Sequence, residues 1–213
     1  MSGIFITFEG GEGGGKSTQA RMLGAALSAR GYGVVLTREP GGSPGAEAIR
    51  TLLVQGDVNR WDGMTEALLL NAARRDHVNK VIKPALRDGQ VVVCDRFADS
   101  TLAYQGYGHG IDLADLIEIQ HAAIGPFAPN LTLILDLPPE EGLRRANARG
   151  GAEVRYENMA VAFHRRLRDG FLAIAADAPA RCKVLDAARS VDAIHADVLT
   201  RVLTVCEQAG VKA

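Results

Sequence analysis

Residues Ile4-Phe5-Ile6-Thr7-Phe8-Glu9-Gly10-Gly11-Glu12-Gly13-Gly14-Gly15-Lys16-Ser17-Thr18 join an apolar run to a glycine-rich turn and then to residues with helical spacing. Gly10, Gly15, Lys16 and Ser17 fill the pattern G-x-x-x-x-G-K-[ST]. A turn of this kind between strand and helix is a cradle for phosphates. Glycines let several backbone N–H groups crowd round one anion with no side chain in the way. A helix starting near Lys16 directs its positive dipole end and unpaired N–H groups at the β- and γ-phosphates of a nucleotide, and the Lys16 ammonium adds a full charge. Ser17 offers a hydroxyl to magnesium. The nucleotide-binding set is thus Gly10, Gly11, Glu12, Gly13, Gly14, Gly15, Lys16, Ser17 and Thr18. Glu12 is the odd member, because a triphosphate repels it; it either points to solvent or orients a second substrate.

Working outward, short β-rich runs occupy 4–9, 34–37, 91–94, 131–137 and 183–185. Stretches with helical spacing lie at 16–30, 46–54, 65–87, 113–124, 140–149, 154–176 and 191–208. Most of the β-rich runs are continuously apolar, as strands covered by helices on both faces must be. The expected fold is α/β, a five-stranded parallel sheet flanked by helices. Breaks are expected at 40–42, 106–110 and 150–151, all too short for interdomain linkers. In such sheets ligands bind beyond the carboxyl ends of the strands, so the residues that follow each strand decide the chemistry.

Composition narrows the partners. The chain has 213 residues and 22.6 kDa, the length of one domain, and its net charge of −1 gives no general attraction to nucleic-acid polymers or membranes. Only five of its 24 basic residues are Lys, a bias that suits phosphate recognition by planar guanidinium forks and equally suits a GC-rich genome. Cys94, Cys182 and Cys206 lack CxxC spacing, which argues against a disulfide framework or zinc site. The five histidines, His77 among them, lack metal-ligand spacing and read as surface or core residues. With no signal-like start and no apolar run long enough to span a bilayer, a cytoplasmic location is expected.

The second run ends in Arg38-Glu39-Pro40-Gly41-Gly42, and the third in Asp95-Arg96-Phe97-Ala98-Asp99-Ser100-Thr101, with Tyr104 and Gln105 a turn later. Both ends carry Arg beside an acid. An acid here can hold a magnesium-bound water, and an Arg can grip an acceptor phosphate bidentately. Residues 144–155 combine four arginines, Arg144, Arg145, Arg149 and Arg155, with a glycine pair, and read as a cationic lid that neutralises charge on a transferring phosphoryl group.

Phe8-Glu9-Gly10 with the phosphate loop, Thr37-Arg38-Glu39-Pro40-Gly41-Gly42, Asp95-Arg96-Phe97 continuing through Ser100-Thr101-Leu102-Ala103-Tyr104-Gln105-Gly106, and Leu135-Asp136-Leu137-Pro138 together resemble the bacterial thymidylate kinases. The resemblance runs along essentially the whole chain. It implies one P-loop kinase domain over 1–213, transfer of the ATP γ-phosphate to dTMP with Mg2+ in dTTP biosynthesis, and a homodimer, with 65–87 a stretch suited to the interface. It further implies that Arg96 holds the dTMP phosphate and Arg74 faces the thymine edge. Thr101 and Gln105 complete the base pocket, Tyr104 lies against the deoxyribose, and Glu12 sits near the acceptor sugar. Glu39, Arg38, Leu70 and Ser100 join the substrate-binding set, and Ser17 and Asp95 the metal set. Lys16, Arg96, Arg149 and Glu12 form the catalytic set.

The sequence departs from the family pattern at Leu70 and in the later part of the lid, where Glu153-Val154-Arg155-Tyr156 differs from the usual acid-arginine order by a residue. Leu70 stands where relatives often carry an aromatic ring to stack on the base. The loop itself has no arginine, which implies that the lid supplies the second charge, from Arg149 or, as its rival, Arg155. Two other functions share the loop. A deoxynucleoside kinase would phosphorylate a sugar hydroxyl and need a carboxylate base, for which Glu39 or Asp95 is available. A GTPase-like switch would need a guanine-reading NKxD, whereas Asn79-Lys80 runs on as Val81-Ile82.

Overall fold

The structure is a computed structural model and describes residues 3–57, 60–149, 156 and 159–212. Strands β1 (Ile4–Glu9), β2 (Val34–Arg38), β3 (Val91–Asp95), β4 (Leu131–Asp136) and β5 (Cys182–Asp186) form one sheet in the order β2-β3-β1-β4-β5. Every neighbouring pair is parallel. The register aligns Phe8 and Arg38 with Asp95, so the acids and arginines that follow the strands emerge at one edge.

Alternation along each strand sends neighbouring side chains to opposite faces, and along β1, β3 and β4 both faces are buried. Ile4, Ile6 and Phe8 of β1, with Val91 and Val93, meet Ala20, Leu23 and Leu27 of α1 (Lys16–Ser28) and Ile194, Val198 and Val202 of α9 (Val191–Gln208). Phe5, Val92 and Cys94 point the other way, against Val78, Ile82, Phe97 and Ile124. Further along that face Ile134 and Cys182 pack on Phe163, Leu167 and Phe171 of α8 (Val161–Asp177). The three layers account for the unbroken apolar character of the strands.

Helices α2 (Pro44–Val54), α3 (Gly63–His77), α4 (Lys83–Arg87), α6 (Leu113–Ile124) and α7 (Pro139–Arg149) sit close to where the spacing predicts them. Pro44 starts α2 two residues early because proline suits the first helical turn, where its missing N–H would have no partner. The expected helix over 65–87 carries a π turn, Val78–Ile82, between α3 and α4. It lies just before Pro84, which cannot donate the usual i→i−4 bond.

Two expectations need correction. The break at 106–110 is shorter than expected: α5 (Ala98–Thr101) continues through a π turn, Leu102–Gly108, before the chain turns at 109 and 110. Gly108 is there for contact, since a Cβ on it would stand 2.5 Å from the Phe163 ring. Helix α8 starts at Val161 and not at 154, because Ala160 is extended (ψ 148) and Tyr156 to Met159 closes a turn. The glycines at 150–151 lie outside the described residues. Among the described residues no helix is long and apolar enough to cross a membrane.

Candidate active site

The loop between β1 and α1 is held open by backbone geometry. Gly10, Gly13 and Gly15 have φ of 126, 69 and 87, and Gly15 caps α1 in the left-handed region. Gly13 also touches α7: a Cβ on it would lie 2.0 Å from the carbonyl oxygen of Gly142, and one on Gly142 would lie 2.4 Å from that of Glu12. Lys16 donates across the loop to the Gly11 carbonyl at 2.7 Å. Burial, helped by the nearby Arg96, lowers the Lys16 pKa to about 8 against the opposing pull of Glu12, Asp95 and Glu9. Ser17 donates its hydroxyl to Asp95 Oδ2, bringing a hydroxyl and a carboxylate together beside the loop.

Of the two orientations open to Glu12, the inward one is found. Its Oε1 accepts from Arg96 Nη2 at 2.9 Å and from the Tyr104 hydroxyl at 2.6 Å. Burial opposes its ionisation, but Arg96, Lys16 and the Tyr104 hydroxyl outweigh burial and lower its pKa to about 2. Arg96 also donates to Gly10 O at 3.1 Å and Ser100 Oγ at 3.3 Å, with its guanidinium 5.0 Å from the centre of the Tyr104 ring. The structure thus gathers Glu12, Lys16, Ser17, Asp95, Arg96, Ser100 and Tyr104 at one strand edge.

A second cluster surrounds Arg74, which is 1% exposed. Its Nε donates to Glu39 Oε2 at 2.8 Å and its Nη1 to Asn71 Oδ1 at 3.1 Å. Its Nη2 donates to Phe97 O at 3.2 Å and Thr101 Oγ1 at 3.0 Å. The other oxygen of Glu39 faces His77 Nδ1 at 3.1 Å, and His77 Nε2 lies 2.7 Å from Thr37 Oγ1. With both oxygens engaged, Glu39 is poorly placed to act as a base toward a sugar hydroxyl. Gln105 donates to Glu66 Oε2 at 2.9 Å, while its own Oε1 is buried without a partner. Leu70 is half-buried on α3, one turn before Arg74.

Other predicted residues sit differently. Arg38 turns to Glu47 of α2 at 3.3 Å, with 54% of its side chain exposed. Arg144 and Arg145 are not open lid charges: both pair with Glu141, at 2.8 and 2.7 Å, and Arg145 also donates to Ala187 O. Glu141, one turn upstream on the same helix, takes both, as an acid can with basic residues at i+3 and i+4. The side chain of Arg149, and residues 150–155 with Arg155, lie outside the described residues.

Glu9, Asn71, Glu66 and His77 carry structural weight that motif spacing did not assign. His77 follows Arg74 by three residues on one helix, so the two share a face, and that spacing is the signal. For Glu9 the signal is a carboxylate ending an otherwise apolar strand. It is fully buried, and burial together with the neighbouring Asp99 raises its pKa to about 8 against the bonds from Ser100 and Phe97.

The family model described as thymidylate kinase matches residues 8–198, which take in the loop, both strand-end clusters and the Arg74 cluster. This chain belongs to the thymidylate kinase family. It is 57% identical over 196 residues to the thymidylate kinase of Caulobacter vibrioides, covering 92% of this chain and 94% of that one. Identity to the Ruegeria pomeroyi thymidylate kinase is 52% over 203 residues, covering 95% and 96%. The crystal structure of thymidylate kinase from Ehrlichia chaffeensis superposes with a TM-score of 0.76 at 38% identity, covering 95% of this chain and 99% of that one. The family places this chain among the ATP-using phosphotransferases and supports neither the nucleoside kinase nor the switch.

Proposed function

We propose that this chain transfers the γ-phosphate of ATP to the phosphate of dTMP, giving dTDP and ADP. The observation that carries the reading is Arg96: a guanidinium held between the phosphate loop and Tyr104, already paired with a carboxylate that an incoming phosphate can replace. The loop grips the donor, with Lys16 as its cation. Ser17 and Asp95 are hard oxygen donors already in contact, a pair that fits Mg2+ and would hold it. When bound, the ion neutralises charge shared between the donor phosphates. No general base is needed, because the acceptor phosphate is already an anion at neutral pH.

Four of the five guanidinium N–H groups of Arg74 are spent on protein partners, leaving one donor on Nη1. Gln105 brings a buried carbonyl oxygen without a protein partner. One donor and one acceptor match a carbonyl and the ring N–H of thymine, and a base with the opposite pattern would leave both unmet. Tyr104 is set against the sugar and Glu12 beside it. With Arg144 and Arg145 drawn to Glu141, Arg149 is our choice for the charge that closes over the transferring group, with Arg155 the rival, in one kinase domain whose lid spans about 144–155. Exposed Leu52, Leu68 and Ile117, on α2, α3 and α6, are the face we propose for a homodimer.

An assay of ADP release tests the substrate. With ATP and magnesium, dTMP should turn over at least about tenfold faster than dCMP or dAMP, and thymidine should give no ADP. Thymidine accepted in preference to dTMP would overturn the proposal.

A further inference from the structure

Among the described residues Arg96 is the non-glycine residue with left-handed backbone, φ 71. For a residue with a Cβ that conformation costs roughly 1–2 kcal/mol, so its surroundings must impose it. Three bonds to β1 do so. Arg96 N–H donates to Phe8 O at 2.9 Å, Phe97 N–H donates to Glu9 Oε1 at 2.7 Å, and the Ser100 hydroxyl donates to Glu9 Oε2 at 2.6 Å. One buried carboxyl therefore holds the turn that leaves β3 at two points. On the far side of that turn Asp99 is clamped by Arg181 at 2.6 and 2.9 Å. Held from both sides, the turn leaves the Arg96 side chain one way to go, back across Gly10 toward Glu12 and Tyr104.

We propose that Glu9 is a positioning residue for the acceptor phosphate: by fastening Phe97 and Ser100 it keeps Arg96 left-handed and aims its guanidinium, without touching either substrate. The inference rests on the reading of Arg96 as the receiver of the dTMP phosphate. It also explains why a carboxyl ends an apolar strand. A side chain of this length with two oxygens reaches both partners at once. Glutamine can do so too, its carbonyl oxygen accepting from Phe97 and its NH2 donating to a Ser100 hydroxyl rotated to accept. Alanine can do neither, and aspartate is one methylene too short for both.

The test is steady-state kinetics of the full-length chain and its Glu9→Ala, Glu9→Asp and Glu9→Gln variants, with the KM for dTMP and for ATP measured separately and folding checked by circular dichroism. Glu9→Ala should raise the KM for dTMP about tenfold or more while the KM for ATP stays within about threefold. Glu9→Asp should raise the dTMP KM about fivefold, and Glu9→Gln should bring it back to within about threefold of the parent. Equal rises in both KM values, or a Gln variant as impaired as the Ala variant, would overturn the proposal. Should Glu9→Ala fail to fold, Glu9→Asp carries the test, and an unchanged dTMP KM there overturns it as well. A parent chain that does not phosphorylate dTMP at all would instead strike at the proposed function and leave the geometry of the turn standing.

Discussion

The loop at residues 10–18 and the buried cluster around Arg74, the base pocket of our proposal, lie at the same edge of the sheet, yet they are made differently. The loop is contiguous in sequence and works through backbone: glycines at positive φ and the end of α1. The pocket draws Thr37, Glu39, Asn71, Arg74, His77, Phe97 and Thr101 from several elements and works through side chains already bonded to one another. The lesson concerns where failure concentrates. In the loop a single side chain supplies the charge, so its loss is severe; in the pocket, effects shrink with each bond of distance from Arg74.

The sharpest way to break this contrast is Lys16→Met. It should lower kcat by about 10^2–10^3-fold with little change in dTMP affinity, read from steady-state rates and dTMP titration. A pH series comes next, at the boundary between the two regions. The Glu9 pKa lies above its ordinary 4.5, at about 8, so the folded chain holds that proton more tightly than the unfolded one. Stability contributed by Glu9 is thus fully present below pH 4.5 and is lost as pH rises toward 8. In urea titrations the parent should fall relative to Glu9→Gln by on the order of a few kcal/mol across that window; parallel curves would remove the charge assignment.

Within the pocket, Arg74→Lys keeps the charge but not the fork, and should raise the KM for dTMP about 10^2-fold with the ATP KM unchanged. One bond further out, His77→Leu removes the support of Glu39 and should cost about tenfold in dTMP KM; a larger effect than that of Arg74→Lys would invert the proposed order. Tyr104→Phe takes one hydroxyl from Glu12 and leaves the ring over which Arg96 lies, so a two- to fivefold rise, about 1 kcal/mol or less, is expected in the same assay.

The same contrast explains what could be read from sequence. Backbone-built features announce themselves through glycine spacing and apolar runs, and β1, α6 and α9 fall where those runs put them. Side-chain networks carry no such spacing. His77 reads as one more core histidine because its partners, Thr37 and Glu39, lie at the end of β2, distant in sequence, and meet it only in the folded chain. Arg144 and Arg145 looked like lid charges until Glu141 was found within reach of both. Arg38 matches a motif, yet its side chain pairs with Glu47, on a helix whose start Pro44 shifted. Helix propensity, likewise, could not reveal that Gly108 is small for the sake of Phe163.

The bare-backbone contact between Gly13 and Gly142 ties the two halves of the machine at a point with no room to spare. Neither position can accept even a methyl group until the opposite segment retreats, so mutation cannot explore one while the other stays put. A swap of the loop between related enzymes therefore has to bring the first turn of α7 with it, or the graft will arrive misaligned with that helix.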